Sequence, residues 1–313
     1  MKNNTLVIPK LDWQDSLKAF ALLGILLNHL VEEFHKGPLF TGFENFSPIR
    51  LLAWIGDFGP GVFILCSGIG LTWAALHRNK VGFAPVAFYK RRLLRIFPLY
   101  MALHLILLAL AIVTPESVLR DHHAFPLSLA HPKMLLSILG LRFTDSLFFF
   151  ISPSWWFVWL VIQLYLIFPV LYLLMRRIGI QRFLLMALAI TLICRAFGIL
   201  FPMAIPWKTY SWLLGIFFGT RLAEFCAGMA IAYYLKQHHT SCSRFQSPGV
   251  ILLWCLPILI CGLTAQLYPM GKIISYPLIS LSMAGIFYAI WQSGLKKIPA
   301  LAGIITWIGV ESY

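Results

Sequence analysis

The chain consists of long apolar stretches separated by short polar segments. Of its 313 residues, 60% are hydrophobic and 12% are charged, and the mean hydropathy is +0.82. A soluble domain has about half apolar and about a quarter charged residues. The apolar runs are continuous rather than alternating, which excludes an outer-membrane β-barrel. The sequence therefore predicts an all-α, polytopic bundle of transmembrane helices.

Nine stretches are predicted to span a membrane, because a helical span needs about 20 mostly apolar residues. They are 16–34, 57–77, 94–113, 155–175, 183–201, 211–235, 249–268, 273–293 and 299–313. The first lacks a small-residue cleavage site, so we interpret it as a retained span rather than a signal peptide. The last ends at Tyr313 without a closing loop, and we expect the natural protein to continue into a tenth span.

No segment between the spans has the character of a linker that would divide the chain. We therefore predict one integral-membrane domain over residues 10–313, incomplete at its C-terminus. The run 134–150 is short for a span and carries Arg142 and Asp145, so it is predicted to be an interfacial or re-entrant helix. The six cysteines show no metal-ligand spacing, and we predict neither a metal site nor a disulfide framework.

The net charge of +14 comes mainly from Lys and Arg in short loops. With a cytoplasmic N-terminus, fifteen of these residues face the cytoplasm, seven face the other side and three lie within spans. Cytoplasmic loops carry an excess of basic residues, so this distribution predicts a cytoplasmic N-terminus. It also explains the positive charge without a nucleic-acid partner.

Lys18 and His29 lie within the first predicted span. Eleven residues correspond to three helical turns plus about 20°, so both side chains are expected on one stripe, about 16 Å apart along the axis. Ionisable groups inside a membrane are costly and indicate function. We expect a buried His29 to act as a general base, with Lys18 paired to Asp15.

The same helix offers carboxylates for His29. Glu32 and Glu33 follow it by three and four residues, so either could orient the imidazole. The alternative is a histidine that only packs against a neighbouring helix, with Lys18 extending to the membrane interface.

A basic segment precedes the third span and contains Arg91, Arg92 and Arg95. Arg92 and Arg95 share a helix face, and guanidinium groups suit phosphate oxygens. The segment therefore suits a phosphate-bearing donor, although topology alone also explains it.

Other spans contain polar or aromatic candidates. Ser67 follows a glycine-rich stretch and could bind a ligand or mark close helix packing. Trp156 and Tyr165 could border a cavity or belong to an aromatic core. Arg221 and Glu224 have the spacing of a salt bridge, which we interpret as a structural pair in the outer leaflet.

Together these segments resemble the membrane-bound acyltransferase-3 family, the bacterial O-acyltransferases that modify surface polysaccharides and related envelope glycans. The matches occur in the family's order between about Leu11 and Tyr313. They are Asp15, Lys18 and His29; Ser67-Gly68; Arg91, Arg92, Arg95 and Phe97–Tyr100; Trp156, Tyr165 and Pro169; and Arg221, Leu222, Glu224, Phe225 and Gly228.

Three departures from the family pattern stand out. Lys18 replaces an arginine, which keeps the charge but loses the bidentate fork. Val161 replaces a glutamate that many members carry. Members also usually continue to a tenth span with another histidine.

The resemblance implies acyl transfer from cytoplasmic acyl-CoA, expected to be acetyl-CoA, to a hydroxyl of an envelope glycan. It implies His29 and Lys18 as catalytic residues and the three arginines as acyl-CoA contacts. Asp15, Glu33, Ser67, Trp156, Tyr165, Arg221 and Glu224 would support them. Acyl-CoA would be a co-substrate, with no tightly bound cofactor.

The resemblance further implies a multi-pass protein of the bacterial inner membrane, whose partners are the lipid bilayer, the donor and a glycan or lipid-linked saccharide. Two alternatives remain. Intramembrane charge and glycine-broken helices also suit a transporter or flippase of lipid-linked or anionic solutes. The departures at Lys18 and Val161 would suit a non-catalytic relative.

Overall fold

The computed structural model describes residues 11–35, 48–78, 85–113, 132–237 and 247–312. All regular secondary structure within these ranges is helical, which confirms the predicted all-α class. In chain order the helices are α1 (Asp12–His35), α2 (Pro48–Gly56), α3 (Gly59–Arg78), α4 (Pro85–Val113), α5 (Pro132–Ile138), α6 (Asp145–Phe148), α7 (Trp156–Ile178), α8 (Ile180–Leu200), α9 (Thr209–Ile216), α10 (Leu222–Gln237), α11 (Pro248–Gln266), α12 (Ser275–Ser293) and α13 (Pro299–Glu311).

Five helical segments of the described chain are long and apolar enough to cross a membrane. They are Pro48–His77, Trp156–Ile178, Ile180–Leu200, Pro248–Gln266 and Ser275–Lys297. Helices α1 and α4, with 24 and 29 residues, coincide with the first and third predicted spans. Helix α13 has 13 residues, fewer than the roughly 20 that a bilayer requires.

The helix of the predicted span 211–235 is broken. Thr209–Ile216 and Phe218–Gln237 meet at an angle of 67° and form at most one bent span. Gly215 has a φ of 124°, which favours glycine, and Phe217 is extended. Gln163 on α7 holds this break: its Oε1 accepts from the Phe218 N–H at 3.0 Å, and its Nε2 donates to the Ile216 carbonyl at 3.2 Å.

Two compact units make up the chain. The first comprises Met1–Val81, Ile178–Leu192 and Arg221–Tyr313, and the second comprises Gly82–Arg177 and Ile193–Thr220. The first contains α1 to α3 and α10 to α13, and the second contains α4 to α7 and α9. Helix α8 contributes its first part to the first unit and its remainder to the second.

Glycines set the closest helix contacts of the first unit. A Cβ on Gly68 of α3 would overlap the Phe225 carbonyl of α10, and a Cβ on Gly228 of α10 would overlap the Leu65 carbonyl of α3. This reciprocal contact joins two helices backbone to backbone, as small residues do in membrane bundles. The packing interpretation of the Ser67-Gly68 pair is therefore confirmed for Gly68.

Replacing Gly68 with alanine should lower the free energy of unfolding by about 1–3 kcal/mol, because the backbones of α3 and α10 must separate. The thermal unfolding midpoint of the detergent-solubilised protein measures this. Gly303→Ala is the matched control: no atom lies within 4 Å of a Cβ there, so alanine should preserve or raise stability. Equal midpoints for the two variants would contradict the close contact.

The second unit is organised around Arg142, which lies in the run 134–150 that was predicted to be one interfacial or re-entrant helix. That run forms two short helices, α5 and α6, joined by non-helical residues, so the prediction of a single helix was wrong, and its interfacial or re-entrant position stays a prediction. Arg142 in the joint is fully buried. Its guanidinium donates to the Tyr100 hydroxyl at 3.0 Å, Ser137 Oγ at 2.6 Å and the Leu147 and Phe150 carbonyls at 2.8 and 2.9 Å. These bonds close the turn and prevent a continuous helix.

Candidate active site

The predicted pair at the start of α1 is confirmed. Lys18 Nζ lies 2.6 Å from Asp15 Oδ1, and the two side chains are 11% and 15% exposed. One turn of α1 therefore places a cation within the protein rather than at an interface, against the interpretation that Lys18 merely extends outward. Next to it, Gln14 Nε2 donates to the Cys66 carbonyl of α3 at 2.7 Å, which fixes this turn against the helix that carries Ser67.

His29 is exposed, so the expectation of a buried imidazole was wrong. It does lie on the predicted stripe, because α1 is continuous from Lys18 through Ile25 to His29. Burial along that stripe decreases toward the C-terminal end of the helix: Lys18 is buried, Ile25 is half-buried and His29 is exposed. The polar side chain buried at this end of α1 is instead that of Asn28, one residue earlier.

Asp57 brings a second chain segment to His29. It lies between α2 and α3 and is exposed, and it interacts electrostatically with His29, Glu32 and Arg221. Three exposed ionisable side chains, His29, Glu32 and Asp57, thus gather in one place. Ionisable groups in a membrane protein favour water over hydrocarbon, so this cluster indicates a region reached by water or polar substrate.

Arg221, which acts electrostatically on Asp57, forms the predicted pair with Glu224. Arg221 Nη1 is 3.5 Å from Glu224 Oε1, and both side chains are at most 1% exposed. The Arg221 guanidinium also lies 4.5 Å from the centroid of the Tyr276 ring on α12. The position of the pair in the outer leaflet stays a prediction.

The pair is enclosed by small residues. A Cβ on Gly61 of α3 would overlap Ser280 of α12 and lie 3.5 Å from Arg221 Nη2. Ser280 is completely buried, and its Oγ has no hydrogen-bond partner among the described residues. Ser67 on α3 is buried in the same way, without a hydrogen-bond partner in the described chain. A ligand contact of Ser67 stays a prediction.

The basic segment belongs to a helix rather than a loop, because α4 begins at Pro85. Arg91 and Arg95 are exposed. Arg92 is half-buried, 5.9 Å from the Phe88 ring centroid and 5.7 Å from that of Tyr165 on α7. Two predicted residues, Arg92 and Tyr165, are thus in contact within the second unit. The other two arginines of the segment are exposed.

Trp156 begins α7 and is half-buried, 6.1 Å from the Phe148 ring and 5.8 Å from the Phe157 ring. This placement fits an aromatic core, one of the two interpretations of Trp156. The side chain of Glu33 lies outside the described residues.

His29 differs from the other described imidazoles. His104 of α4 uses both ring nitrogens, Nδ1 toward the Tyr100 carbonyl and Nε2 toward Ser137 Oγ, each at 2.9 Å. His77 of α3 likewise contacts the Trp73 carbonyl with Nδ1 and Lys236 Nζ with Nε2. Because His104 is buried and His77 is half-buried whereas His29 is exposed, His29 is the described imidazole most open to a substrate.

Sequence reasoning missed Asp57. It lies 28 residues from His29, and contacts at that separation depend on how α2 and α3 return to α1. A signal was present: Asp57 is a carboxylate between two apolar helices, flanked by Gly56 and Gly59.

Comparison with known proteins identifies the family of the chain. Residues 11–313 match the sequence profile of the acyltransferase-3 family, described as an acyltransferase domain. The chain is 25% identical over 265 residues to acyltransferase MdmB of Streptomyces mycarofaciens, covering 82% of this chain and 64% of that relative. No solved structure matches the chain significantly. Since the profile covers nearly every residue from the first helix onward, the chain belongs to the acyltransferase-3 family.

Proposed function

We propose that the protein is an integral-membrane O-acyltransferase that moves an acyl group, expected to be acetyl, from acyl-CoA to a hydroxyl of an envelope glycan. The observation that carries this proposal is the exposed imidazole of His29, which shares one place with carboxylates on a helix that also holds a paired lysine. Family membership supports the reaction class.

His29 acts as the general base. Its imidazole removes the proton from the acceptor hydroxyl while the hydroxyl oxygen attacks the thioester carbonyl carbon. Collapse of the tetrahedral intermediate breaks the carbon–sulfur bond, and the imidazolium returns the proton to the CoA thiolate. The products are the O-acyl ester and free CoA.

Lys18 supplies positive charge on the same stripe. Its pairing with Asp15 holds the amine at 2.6 Å from the carboxylate, so its direction is fixed before substrate arrives. About 16 Å from His29 along the helix axis, this fixed cation steers the anionic donor toward the site. An ammonium acts as a point charge in this role and does not need the fork of the family's arginine.

The exposed face of α4 binds the phosphates of the donor. Arg91 and Arg95 present outward guanidinium groups, and Arg92 is anchored over aromatic rings. Charge-assisted hydrogen bonds from arginine to phosphate are stronger than neutral ones. With a cytoplasmic N-terminus, in the bacterial inner membrane, this face would meet cytoplasmic acyl-CoA.

Replacing Arg91 and Arg95 together with alanine should raise the KM for acetyl-CoA by roughly tenfold and leave kcat within about twofold, because phosphate contacts are lost while the base is retained. Steady-state kinetics measure this, and acetyl-pantetheine, which lacks the nucleotide phosphates, should show no such difference in KM. The matched control is Arg176→Ala with Arg177→Ala, which removes two exposed guanidinium groups from α7. An unchanged KM for acetyl-CoA would contradict donor binding at α4.

The reaction class is tested by following free CoA thiol released by the purified protein. We expect release from acetyl-CoA to depend on a glycan acceptor and to stop when its hydroxyls are blocked as methyl ethers. Acceptor-independent release, or none with a panel of envelope glycans, would contradict the proposal.

A further inference from the structure

Asp57 is held against α1 by backbone contacts on both of its sides. A Cβ on Gly56 would overlap the Gly24 carbonyl. A Cβ on Gly59 would lie 2.7 Å from Ile25 Cγ1 and 2.8 Å from the Ala21 carbonyl oxygen. The two glycines thus allow the segment around Asp57 to approach α1 closely, so the backbone that carries the Asp57 carboxylate is fixed beside this helix.

The segment that carries Asp57 lies close to His29. Ile25 precedes His29 by four residues, which corresponds to about 6 Å along a helix axis and to nearly the same face. Both Asp57 and His29 are exposed, and they interact electrostatically. A carboxylate beside an accessible imidazole is the arrangement that orients a histidine base and stabilises its protonated form.

The charged groups around this pair come from three segments. Glu32 lies on α1 itself, Asp57 lies between α2 and α3, and Arg221 precedes α10. Arg221 is buried and has a sign opposite to the carboxylates, whereas Glu32 is exposed and has the same sign as Asp57. Arg221 and His29 are thus the groups of opposite sign that act on Asp57.

We propose that Asp57 is the positioning residue of His29, in preference to the carboxylates on α1. When His29 takes the proton of the acceptor hydroxyl, the carboxylate of Asp57 faces the new imidazolium and stabilises it until the proton passes to the CoA thiolate. Asp57 itself exchanges no proton. The inference rests on the proposed function, because it assigns a role in the same reaction.

Glu32 is the competing partner and differs in how it is held. It is an exposed residue three positions after His29 on the same helix, and its longer side chain loses more rotamer freedom on ordering. Asp57 has a shorter side chain on a backbone fixed by two glycine contacts. A fixed carboxylate orients an imidazole at lower entropic cost than a mobile one, which favours Asp57.

The test compares Asp57→Asn, Asp57→Glu and Glu32→Gln with wild type and with His29→Ala in the full chain, using steady-state acetyl transfer. We expect Asp57→Asn to lower kcat by about tenfold or more, within the roughly 10²- to 10⁴-fold that a general base contributes. The KM for acetyl-CoA and the unfolding midpoint should stay near wild type, and Asp57→Glu should recover part of kcat. Asp12→Asn, an exposed carboxylate at the start of α1, is the matched control.

Two results would overturn the inference alone. One is a kcat of Asp57→Asn within about twofold of wild type while His29→Ala is inactive. The other is a loss in Glu32→Gln as large as that in Asp57→Asn, which would assign the role to Glu32. Full activity of His29→Ala would instead overturn the proposed function, and this inference with it.

Discussion

Replacing His29 with alanine is expected to lower acyl transfer by about 10²- to 10⁴-fold, the usual contribution of a general base. Without the imidazole, no group on this face of α1 takes the hydroxyl proton as the oxygen attacks the thioester. Because His29 is exposed, its loss leaves no cavity in the core, and the protein should remain folded in the membrane. The measurement is kcat for acetyl transfer with purified protein, together with the unfolding midpoint.

His77→Ala is the matched control for the loss of an imidazole. His77 contacts Trp73 and Lys236 and takes no part in the proposed chemistry, so its removal should leave kcat within a few-fold of wild type. Near-normal activity of His29→Ala would remove His29 from the mechanism. Equal losses in both variants would show that His29→Ala acts through folding.

Replacing Arg142 with lysine is expected to destabilise the second unit by about 3 kcal/mol or more. The buried guanidinium donates to a hydroxyl on α4, a hydroxyl on α5, a carbonyl within α6 and a carbonyl just after α6. A lysine keeps the charge but cannot span these acceptors, and each buried polar group left unpaired costs about 1–3 kcal/mol. Total stabilities are about 5–15 kcal/mol, so a large part of the folded protein should be lost.

The measurement is the unfolding midpoint and the monodisperse fraction after detergent extraction. Arg177→Lys, an exposed arginine at the end of α7, provides the matched control and should leave both unchanged. A midpoint for Arg142→Lys equal to that of the control would contradict the role of Arg142 as the centre of this unit.

Much of the helical architecture could be predicted because the bilayer dictates it. Backbone groups in lipid must be satisfied within the segment, so a long apolar run has few structures available. Helices α7, α8, α11 and α12 follow directly from this rule. The pairs Asp15–Lys18 and Arg221–Glu224 could equally be predicted from the sequence, because a three-residue spacing on a helix brings two side chains together whatever the helix packs against.

The features that were missed depend on contacts between distant segments. The break after α9 is held by Gln163, more than fifty residues away, and hydropathy does not register such a bond. The exposure of His29 depends on which neighbouring helices cover α1 along its length. The burial of Arg142 was missed because it depends on four acceptors that come together once the chain has folded.

The most direct test reconstitutes the protein in liposomes with radiolabelled acetyl-CoA outside and a panel of envelope glycans inside. The account predicts that label becomes covalently attached to glycan hydroxyls with wild-type protein, and that His29→Ala shows only background. Movement of label or glycan across the membrane without an ester, equal in wild type and His29→Ala, would contradict it and indicate a transporter.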